Sequence, residues 1–285
     1  MARQAEKPVV ESLAVLAPPE RVWAALASPR DLGLIVLGRV EIRAEPGAGF
    51  SWQWGVWEKI APGAKPGRFT WRGTVLDVVP GSTLVLGPAA GGAGPPVVTL
   101  TVKGQGGAAL VTVVQGAAGP GEKLADYAHG WADFLLKFKT LLETERWERE
   151  VLTRALVRAT PAEVYRLWLN PKALAKLLPG KATVRVKVGG RFSWQHKTGK
   201  HIHSGTILEL VRNRRVSFSW ESTSPASEVT LEAQATRYGA LVSVHHAGLL
   251  GLDRGQVFSQ RMFWLRLLER LRAYCWLKGK IKPAD

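Results

Sequence analysis

Three histidines are the side chains of this sequence best suited to chemistry, because they fall within one short stretch. His196 ends one alternating run of residues, and His201 and His203 begin the next. If the two runs pair as strands, three imidazoles with an open fourth position would form a zinc-like triad, in which the metal would activate water. Two alternatives stay open: the histidines form the polar mouth of a cavity, or they lie on an exposed hairpin. The parity of Leu208 and Leu210 favours the exposed hairpin.

Other catalytic signatures do not occur in the sequence. It has no Gly-x-x-x-x-Gly-Lys phosphate loop, no Gly-x-Gly-x-x-Gly fingerprint, no Gly-x-Ser-x-Gly elbow and no His-Glu-x-x-His helix. No carboxylate of the basic half forms an evident acid–base pair with a histidine. We therefore predict no catalytic residue and no cofactor, and we expect a protein that is not an enzyme, with chemistry inside a cavity as the open alternative.

The elements that must position the histidines occur twice. Residues 50–53, Phe-Ser-Trp-Gln, return 142 positions later as residues 192–195, and the segment that begins at Pro19 returns in the same register at Pro161. A repeat of this length indicates duplicated domains. We expect a first domain over residues 1–145 and a second over residues 146–285.

Each copy has the same order of predicted elements. An opening strand is followed by two short helices that begin at prolines, then by alternating runs separated by turn residues, and finally by a helical stripe of apolar residues. Alternation with period two predicts an antiparallel sheet, and the stripe places one face of a long C-terminal helix on that sheet. The fold class predicted for each copy is α+β.

Several short motifs carry a resemblance to a known family. In the first copy they are Pro19-x-x-Val22-Trp23, the Gly-Thr-Val-Leu-Asp-Val-Val-Pro segment at 73–80 and Gly130-Trp131. In the second copy they are Pro161 to Pro171, Gly189 to Phe192, Gly205 to Val211 and Ser219-Trp220. Both copies resemble the START-like, Bet v-like helix-grip superfamily, and within it the family named after the activator of the heat-shock protein 90 ATPase. The resemblance implies two tandem helix-grip domains, each a curved antiparallel sheet around a long C-terminal helix, with a cavity between them.

Within this resemblance, aromatic residues are the candidates to line the cavities, although the same residues would equally serve as core. The candidates are Trp52, Trp54, Trp71, Trp131, Phe134, Trp194, His196, His203, Trp220 and Trp264. We expect a small hydrophobic or amphipathic ligand between sheet and helix. The alternative function is a chaperone-associated regulator.

The positive charge is concentrated in the second copy. Residues 1–144 carry 14 Lys/Arg and 12 Asp/Glu, whereas residues 145–285 carry 25 and 11. In the alternative function this basic half would dock an acidic protein partner. Basic residues expected on its surface include Arg185, Lys187, Arg214, Arg215 and Arg270. Nucleic acid is not expected, because the tryptophans lie on apolar faces rather than among the basic residues.

The composition indicates a globular cytoplasmic protein. A single cysteine, Cys275, excludes an internal disulfide and is typical of a reducing compartment. No apolar stretch is long enough for a membrane helix, and the N-terminal residues have no secretion-signal pattern.

The copies differ most around one hairpin. The first copy has ten additional residues there, and its Trp54, Phe69 and Trp71 align with His196, His201 and His203 of the second. A lid, a contact surface or a plain surface loop are the alternatives for the insertion.

Overall fold

The structure is a computed structural model in which the chain divides into two compact units. It describes residues 8–56, 69–88, 97–116, 124–144, 149–178, 180–196, 202–223 and 226–278. The ten-residue insertion and His201 lie outside these residues, as does the side chain of His196. In the described part of the chain, no helix is long and apolar enough to cross a membrane.

The first unit follows the predicted order of elements. Its elements are β1 (Val9–Val15), α1 (Pro19–Leu26), α2 (Pro29–Val36), β2 (Val40–Glu41), β3 (Gly49–Gln53), β4 (Thr70–Val79), β5 (Thr83–Gly87), β6 (Val98–Gln105), β7 (Ala108–Gln115) and the long helix α3 (Leu124–Thr144). The strands form one antiparallel sheet in the order β1-β7-β6-β5-β4-β3-β2.

The second unit repeats this order. Its elements are β8 (Val151–Val157), α4 (Pro161–Trp168), α5 (Pro171–Leu177), β9 (Gly180–Val184), β10 (Arg191–His196), β11 (Ile202–Val211), β12 (Arg215–Trp220), β13 (Ser227–Thr236), β14 (Gly239–Ala247) and the long helix α6 (Arg254–Trp276). The sheet order β8-β14-β13-β12-β11-β10-β9 matches that of the first unit. The predicted α+β fold with two tandem helix-grip domains is confirmed.

The short helices begin where their sequences supply a cap. Ser28 accepts a hydrogen bond from the backbone N–H of Asp31 at the start of α2, and Asn170 accepts from Lys172 at the start of α5. At α4, Thr160 and Glu163 cap each other's backbone N–H groups, and these hydrogen bonds lower the pKa of the Glu163 carboxyl. The proline that follows each cap has no N–H to leave unpaired.

Near its C-terminal end, the long helix of the first unit is hydrogen-bonded to the opening strand. Lys139 donates to the carbonyl oxygen of Ala14 at 2.7 Å and to Glu143 at 2.6 Å, and the other contact of Glu143 is the backbone N–H of Leu16 at 2.8 Å. The apolar face of the helix is buried on the sheet through Trp131, Phe134, Leu135, Phe138 and Leu142. The predicted stripe therefore lies on the sheet.

A β-bulge explains why the alternation of β11 predicted the wrong face for His203. The pairing of β11 with β12 shifts register between Ile207 and Glu209, and Leu208 at the shift is 45% exposed. Because a bulge resets the alternation, Leu208 does not report the orientation of the residues before it. His203 shares its face with the buried Gly205 and Ile207. The exposed-hairpin interpretation, which assumed continuous alternation, does not hold for His203.

A phenylalanine lies over a glycine at the same place in each sheet. Phe50 pairs with Gly73 and Phe192 pairs with Gly205. A Cβ atom on Gly73 would collide with the carbonyl oxygen of Gly87 and lie 2.9 Å from Cε1 of Phe50. Only glycine leaves room for this close approach.

Replacing Gly73 by alanine therefore disrupts the first sheet. We expect Gly73→Ala to reduce the free energy of unfolding by about 1–3 kcal/mol, because strand and ring must move apart. Gly49→Ala in the neighbouring strand is the matched control, since its Cβ would lie 3.9 Å from the nearest atom. Urea unfolding followed by tryptophan fluorescence measures both, and equal stability of the two variants would refute the steric explanation.

Candidate functional site

A tryptophan of each long helix donates a hydrogen bond to the end of the last strand. Nε1 of Trp131 lies 2.6 Å from Oε1 of Gln115, and Nε1 of Trp264 lies 3.0 Å from Nδ1 of His246. Gln115 and His246 are equivalent, because each pairs with the first residue of the opening strand, Val9 or Val151. The two copies thus share one buried contact between helix and sheet and differ in the acceptor.

In the second copy this contact begins a directed chain of hydrogen bonds. Trp264 is a donor only, so Nδ1 of His246 accepts and Nε2 carries the proton of the neutral ring. Nε2 then donates to Oγ of Ser227 at 2.7 Å, Ser227 lies 2.7 Å from Thr223, and the Thr223 hydroxyl donates to the carbonyl oxygen of Trp220 at 3.1 Å. Every link has one donor and one acceptor when His246 is neutral.

Protonation of His246 would break this chain. A second proton on Nδ1 would point at the indole N–H of Trp264, which cannot accept it. Burial lowers the pKa of His246 to about 3, with smaller contributions from His245 and His203. His246 is therefore a neutral structural acceptor at ordinary pH.

An aromatic stack surrounds His203 in the second copy. Its ring is parallel to Trp194 at 4.9 Å between centroids and stacks on Trp220 at 4.5 Å. Phe263 of the long helix lies 5.7 Å from the same imidazole. Nδ1 of His203 is 2.6 Å from Oγ of Ser222. His203 therefore packs as an aromatic ring, and its Nδ1 has a hydrogen-bond partner.

The zinc hypothesis for His196, His201 and His203 stays a prediction. The structure describes only the imidazole of His203, which lies between two indole rings. Among the described residues, no group of three or more His, Cys, Asp or Glu side chains could hold a metal ion. Elemental analysis for stoichiometric zinc is the measurement that decides it.

The first copy builds the corresponding cluster from tryptophans. Trp52 pairs with Trp71 across β3 and β4, as Trp194 pairs with His203 in the second copy. The Trp52 ring lies 5.3 Å from Trp71, and Trp71 lies 5.9 Å from Trp131. Trp54 at 6.3 Å and Phe134 at 5.8 Å complete the surroundings of Trp52. The five candidate residues of the first copy therefore meet in one cluster.

The long helices differ at the residue before the shared tryptophan. The second copy has Phe263, whose ring contacts Trp194, His203, Trp220 and Trp264. The first copy has Gly130 at this position. A Cβ added to Gly130 would meet no atom of the described residues within 4 Å. At this helix position the first copy therefore lacks the phenyl ring of the second copy, while its own Phe134 ring lies 5.8 Å from Trp52 and 5.6 Å from Trp131.

A second aromatic side chain of the second copy has no counterpart in the first. Trp220 ends β12, and the residue at the corresponding position after β5 is Pro88. His203, Trp220 and Phe263 therefore replace Trp71, Pro88 and Gly130. At these three positions the second copy has three aromatic rings and the first copy has one.

Two indole N–H groups of the first copy are buried without an acceptor in the described part of the chain. They belong to Trp52, which is fully buried, and to Trp71. In the second copy the indole N–H of Trp220 is likewise buried without an acceptor among the described residues. A buried donor that makes no hydrogen bond destabilises a protein by about 1–3 kcal/mol. The cluster can therefore hydrogen-bond an acceptor that the described side chains do not provide.

Sequence reasoning found the aromatic residues but missed some of those that define the site. The missed residues are Gln115, Gly130, Ser222, Ser227, His246 and Phe263. Alignment of the copies could have found two of them, because Gly130 and Phe263 stand next to a shared tryptophan. The hydrogen bonds of His246 join residues far apart in the sequence, so no local pattern indicates them.

The comparisons with known proteins identify a family. The family model described as "Activator of Hsp90 ATPase homolog 1-like protein" matches residues 16–143 and 158–275. No curated protein sequence matches the chain significantly.

Matches to solved structures cover either nearly the whole chain or about half of it. DynU16, encoded in the dynemicin biosynthetic locus, is 21% identical, with 95% of this chain and 99% of that chain covered and a TM-score of 0.40. Protein MLL2253 from Mesorhizobium loti is 21% identical over 44% of this chain and 95% of that chain, with a TM-score of 0.41. The Aha1 dimer from Colwellia psychrerythraea is 15% identical over 46% and 98%, with a TM-score of 0.41.

His246 makes the stability of the second copy dependent on pH. Its pKa is about 3 when folded and about 6.5 when unfolded, so the unfolded chain binds the extra proton. Stability is therefore lost as the pH falls below about 6.5, by about 2 kcal/mol between pH 7.5 and pH 5. His246→Gln introduces the acceptor of the first copy, which does not titrate, and should remove this loss.

Urea unfolding at the two pH values checks the prediction. The reciprocal variant Gln115→His is the control, because it should give the first copy the pH dependence that His246→Gln removes from the second. Identical pH dependence of the wild-type protein and His246→Gln would contradict the assignment.

Proposed function

The chain belongs to the family of Activator of Hsp90 ATPase homolog 1-like proteins, with two tandem copies, and from this premise we propose that it is a non-enzymatic binding protein. The ligand is small and hydrophobic or amphipathic, and it lies between the sheet and the long helix of the first copy. The contrast between Gly130 and Phe263 carries this proposal.

The helix position itself supports a binding role for Gly130. Glycine inside a helix destabilises a protein by roughly 0.5–1 kcal/mol relative to alanine. Gly130 is in the first half of α3, and no described atom would obstruct a methyl group there. The usual structural reason for a helical glycine, close packing against a neighbour, does not apply within the described residues. Space for a ligand is an alternative reason.

The unsatisfied indole groups support the same assignment. Trp52 and Trp71 present N–H donors inside an otherwise apolar cluster, with no acceptor among the described residues. A pocket with apolar walls and a few polar groups is typical of sites for small molecules. An amphipathic ligand would bury its apolar part and accept a hydrogen bond.

The second copy is less suited to a ligand in the corresponding place. Phe263 and Trp220 contact His203 there, and Ser222 satisfies its polar edge. We therefore assign the ligand to the first copy, and we assign a structural role to the aromatic residues of the second.

Docking of an acidic partner by the second copy is the alternative function. Its support is the excess of positive charge in residues 145–285. Several basic side chains of this copy make contacts within it, however. Arg191 pairs with Glu221, Arg215 pairs with Glu209, and Arg270 donates to the carbonyl oxygen of Leu177. These contacts hold the three guanidinium groups against their own domain, although the excess of Lys/Arg over Asp/Glu is unchanged.

A salt titration tests the docking alternative. If the basic copy docks an acidic chaperone by charge, capture of the purified chaperone should weaken strongly as ionic strength rises, because screening shortens the range of the attraction to about 3 Å at 1 M salt. Capture that is insensitive to salt would contradict electrostatic docking.

A phenyl ring in place of Gly130 should weaken ligand binding. We expect the wild-type protein to bind the neutral apolar dye Nile red, and Gly130→Phe to bind it at least about tenfold more weakly, a difference of about 1.4 kcal/mol. The new ring takes the place that Phe263 holds in the second copy. Fluorescence titration measures the affinity, and native mass spectrometry shows whether an apolar molecule copurifies with the protein.

Gly130→Ala is the control for this experiment. Its methyl group meets no described atom within 4 Å, so binding should persist while the helix gains roughly 0.5–1 kcal/mol of stability. If wild type and Gly130→Phe bind the dye equally, or if neither the dye nor a copurified apolar molecule is found, the proposed function fails.

A further inference from the structure

Phe263 shows which kind of group fits among the aromatic side chains of this fold. Its ring lies 4.8 Å from Trp264 at 78°, 5.6 Å from Trp194 and 5.7 Å from His203. These distances lie in the range in which tilted and edge-to-face aromatic pairs attract each other. The second copy therefore has its own phenyl ring at the helix position where the first copy has a glycine.

Three of the contacts of Phe263 have direct counterparts in the first copy. Trp264, Trp194 and His203 correspond to Trp131, Trp52 and Trp71. Each counterpart is a tryptophan, and one of them, Trp71, has a larger ring than the residue it corresponds to, His203. A flat ring beside the three tryptophans would make the contacts that Phe263 makes in the second copy.

We propose that the ligand of the first copy presents an uncharged aromatic ring of about phenyl size to Trp52, Trp71 and Trp131, and carries a hydrogen-bond acceptor next to that ring. This inference rests on the proposed function and specifies its ligand. Aryl ketones, aryl esters and aryl ethers are the chemical classes that meet both conditions.

The acceptor follows from a second difference between the copies. At the position of His203, the polar atom of the second copy is satisfied by Ser222. At the equivalent position, the indole N–H of Trp71 has no acceptor among the described residues. The N–H of Trp52 has none there either, but neither has that of Trp220 in the second copy, so the contrast between the copies rests on Trp71. A carbonyl or ether oxygen supplies a lone pair, whereas a hydrocarbon leaves both donors unsatisfied.

The indole N–H groups of Trp52 and Trp71 make a cation an unfavourable ligand. Clusters of tryptophans also bind quaternary ammonium groups through their ring faces. A cation would lie against two N–H groups whose hydrogens carry partial positive charge, with no carboxylate among the residues that form the cluster. A charged group buried without a partner is strongly disfavoured.

Three matched probes separate the two parts of the inference in the wild-type protein. Acetophenone has the ring and the acceptor, cyclohexyl methyl ketone has the acceptor without the aromatic ring, and isopropylbenzene has the ring without the acceptor. We expect acetophenone to bind about tenfold more tightly than either analogue, from aromatic contacts in one comparison and a hydrogen bond in the other. Titrations by saturation-transfer NMR measure the three affinities, and benzyltrimethylammonium tests the cation.

The outcomes distinguish this inference from the proposed function. If cyclohexyl methyl ketone binds as tightly as acetophenone, or if the ammonium probe binds best, the aromatic assignment is overturned while ligand binding stands. Equal affinity for isopropylbenzene and acetophenone overturns the acceptor. If none of the probes binds and Nile red does not bind either, the proposed function fails as well.

Exchanging the two helix residues locates the site. In the double variant Gly130→Phe/Phe263→Gly, acetophenone binding should be lost from the first copy and gained in the second. Gly130→Phe alone provides the test if loss of Phe263 unfolds the second copy. Acetophenone binding that is unchanged in Gly130→Phe overturns the location.

Discussion

The hydrogen bond from the tryptophan of the long helix to the last strand is the contact on which the rest of each copy depends. A buried indole N–H needs an acceptor, so the strand must end in a residue that supplies one. Gln115 and His246 do so at the same place in their sheets. Because the bond fixes how the helix is rotated on the sheet, it also fixes the preceding residue. Gly130 and Phe263 therefore occupy equivalent positions next to the aromatic strands.

The two copies differ at three positions between the sheet and the long helix. The second copy has His203, Trp220 and Phe263, which contact one another and occupy the space. The first copy has Trp71, Pro88 and Gly130, and the indole N–H of Trp71 has no acceptor among the described residues. In our account the duplication separated two roles: one copy retained a place for a ligand, and the other became a domain whose own side chains take that place.

The helices and strands could be predicted from the sequence. The directions in which the side chains of the site face could not. The repeat, the prolines that begin the short helices and the apolar stripe of the long helix are local patterns, and each predicted its element correctly. The direction of His203 was not predictable from alternation, because the bulge between Ile207 and Glu209 resets the parity of β11. The role of His246 depends on Trp264 and Ser227, which reach it only in the folded sheet. Long-range contacts of this kind leave no periodic trace in the sequence.

The central claim is that a ligand's aromatic ring lies beside Gly130 in the first copy. Intermolecular NOEs between bound acetophenone and the protein test it most directly, because they report proximity to individual side chains. Our account predicts NOEs from the ring protons of acetophenone to the indole protons of Trp52, Trp71 and Trp131. NOEs to Phe263 or Trp220, or a bound ligand without NOEs to the first-copy tryptophans, would contradict it.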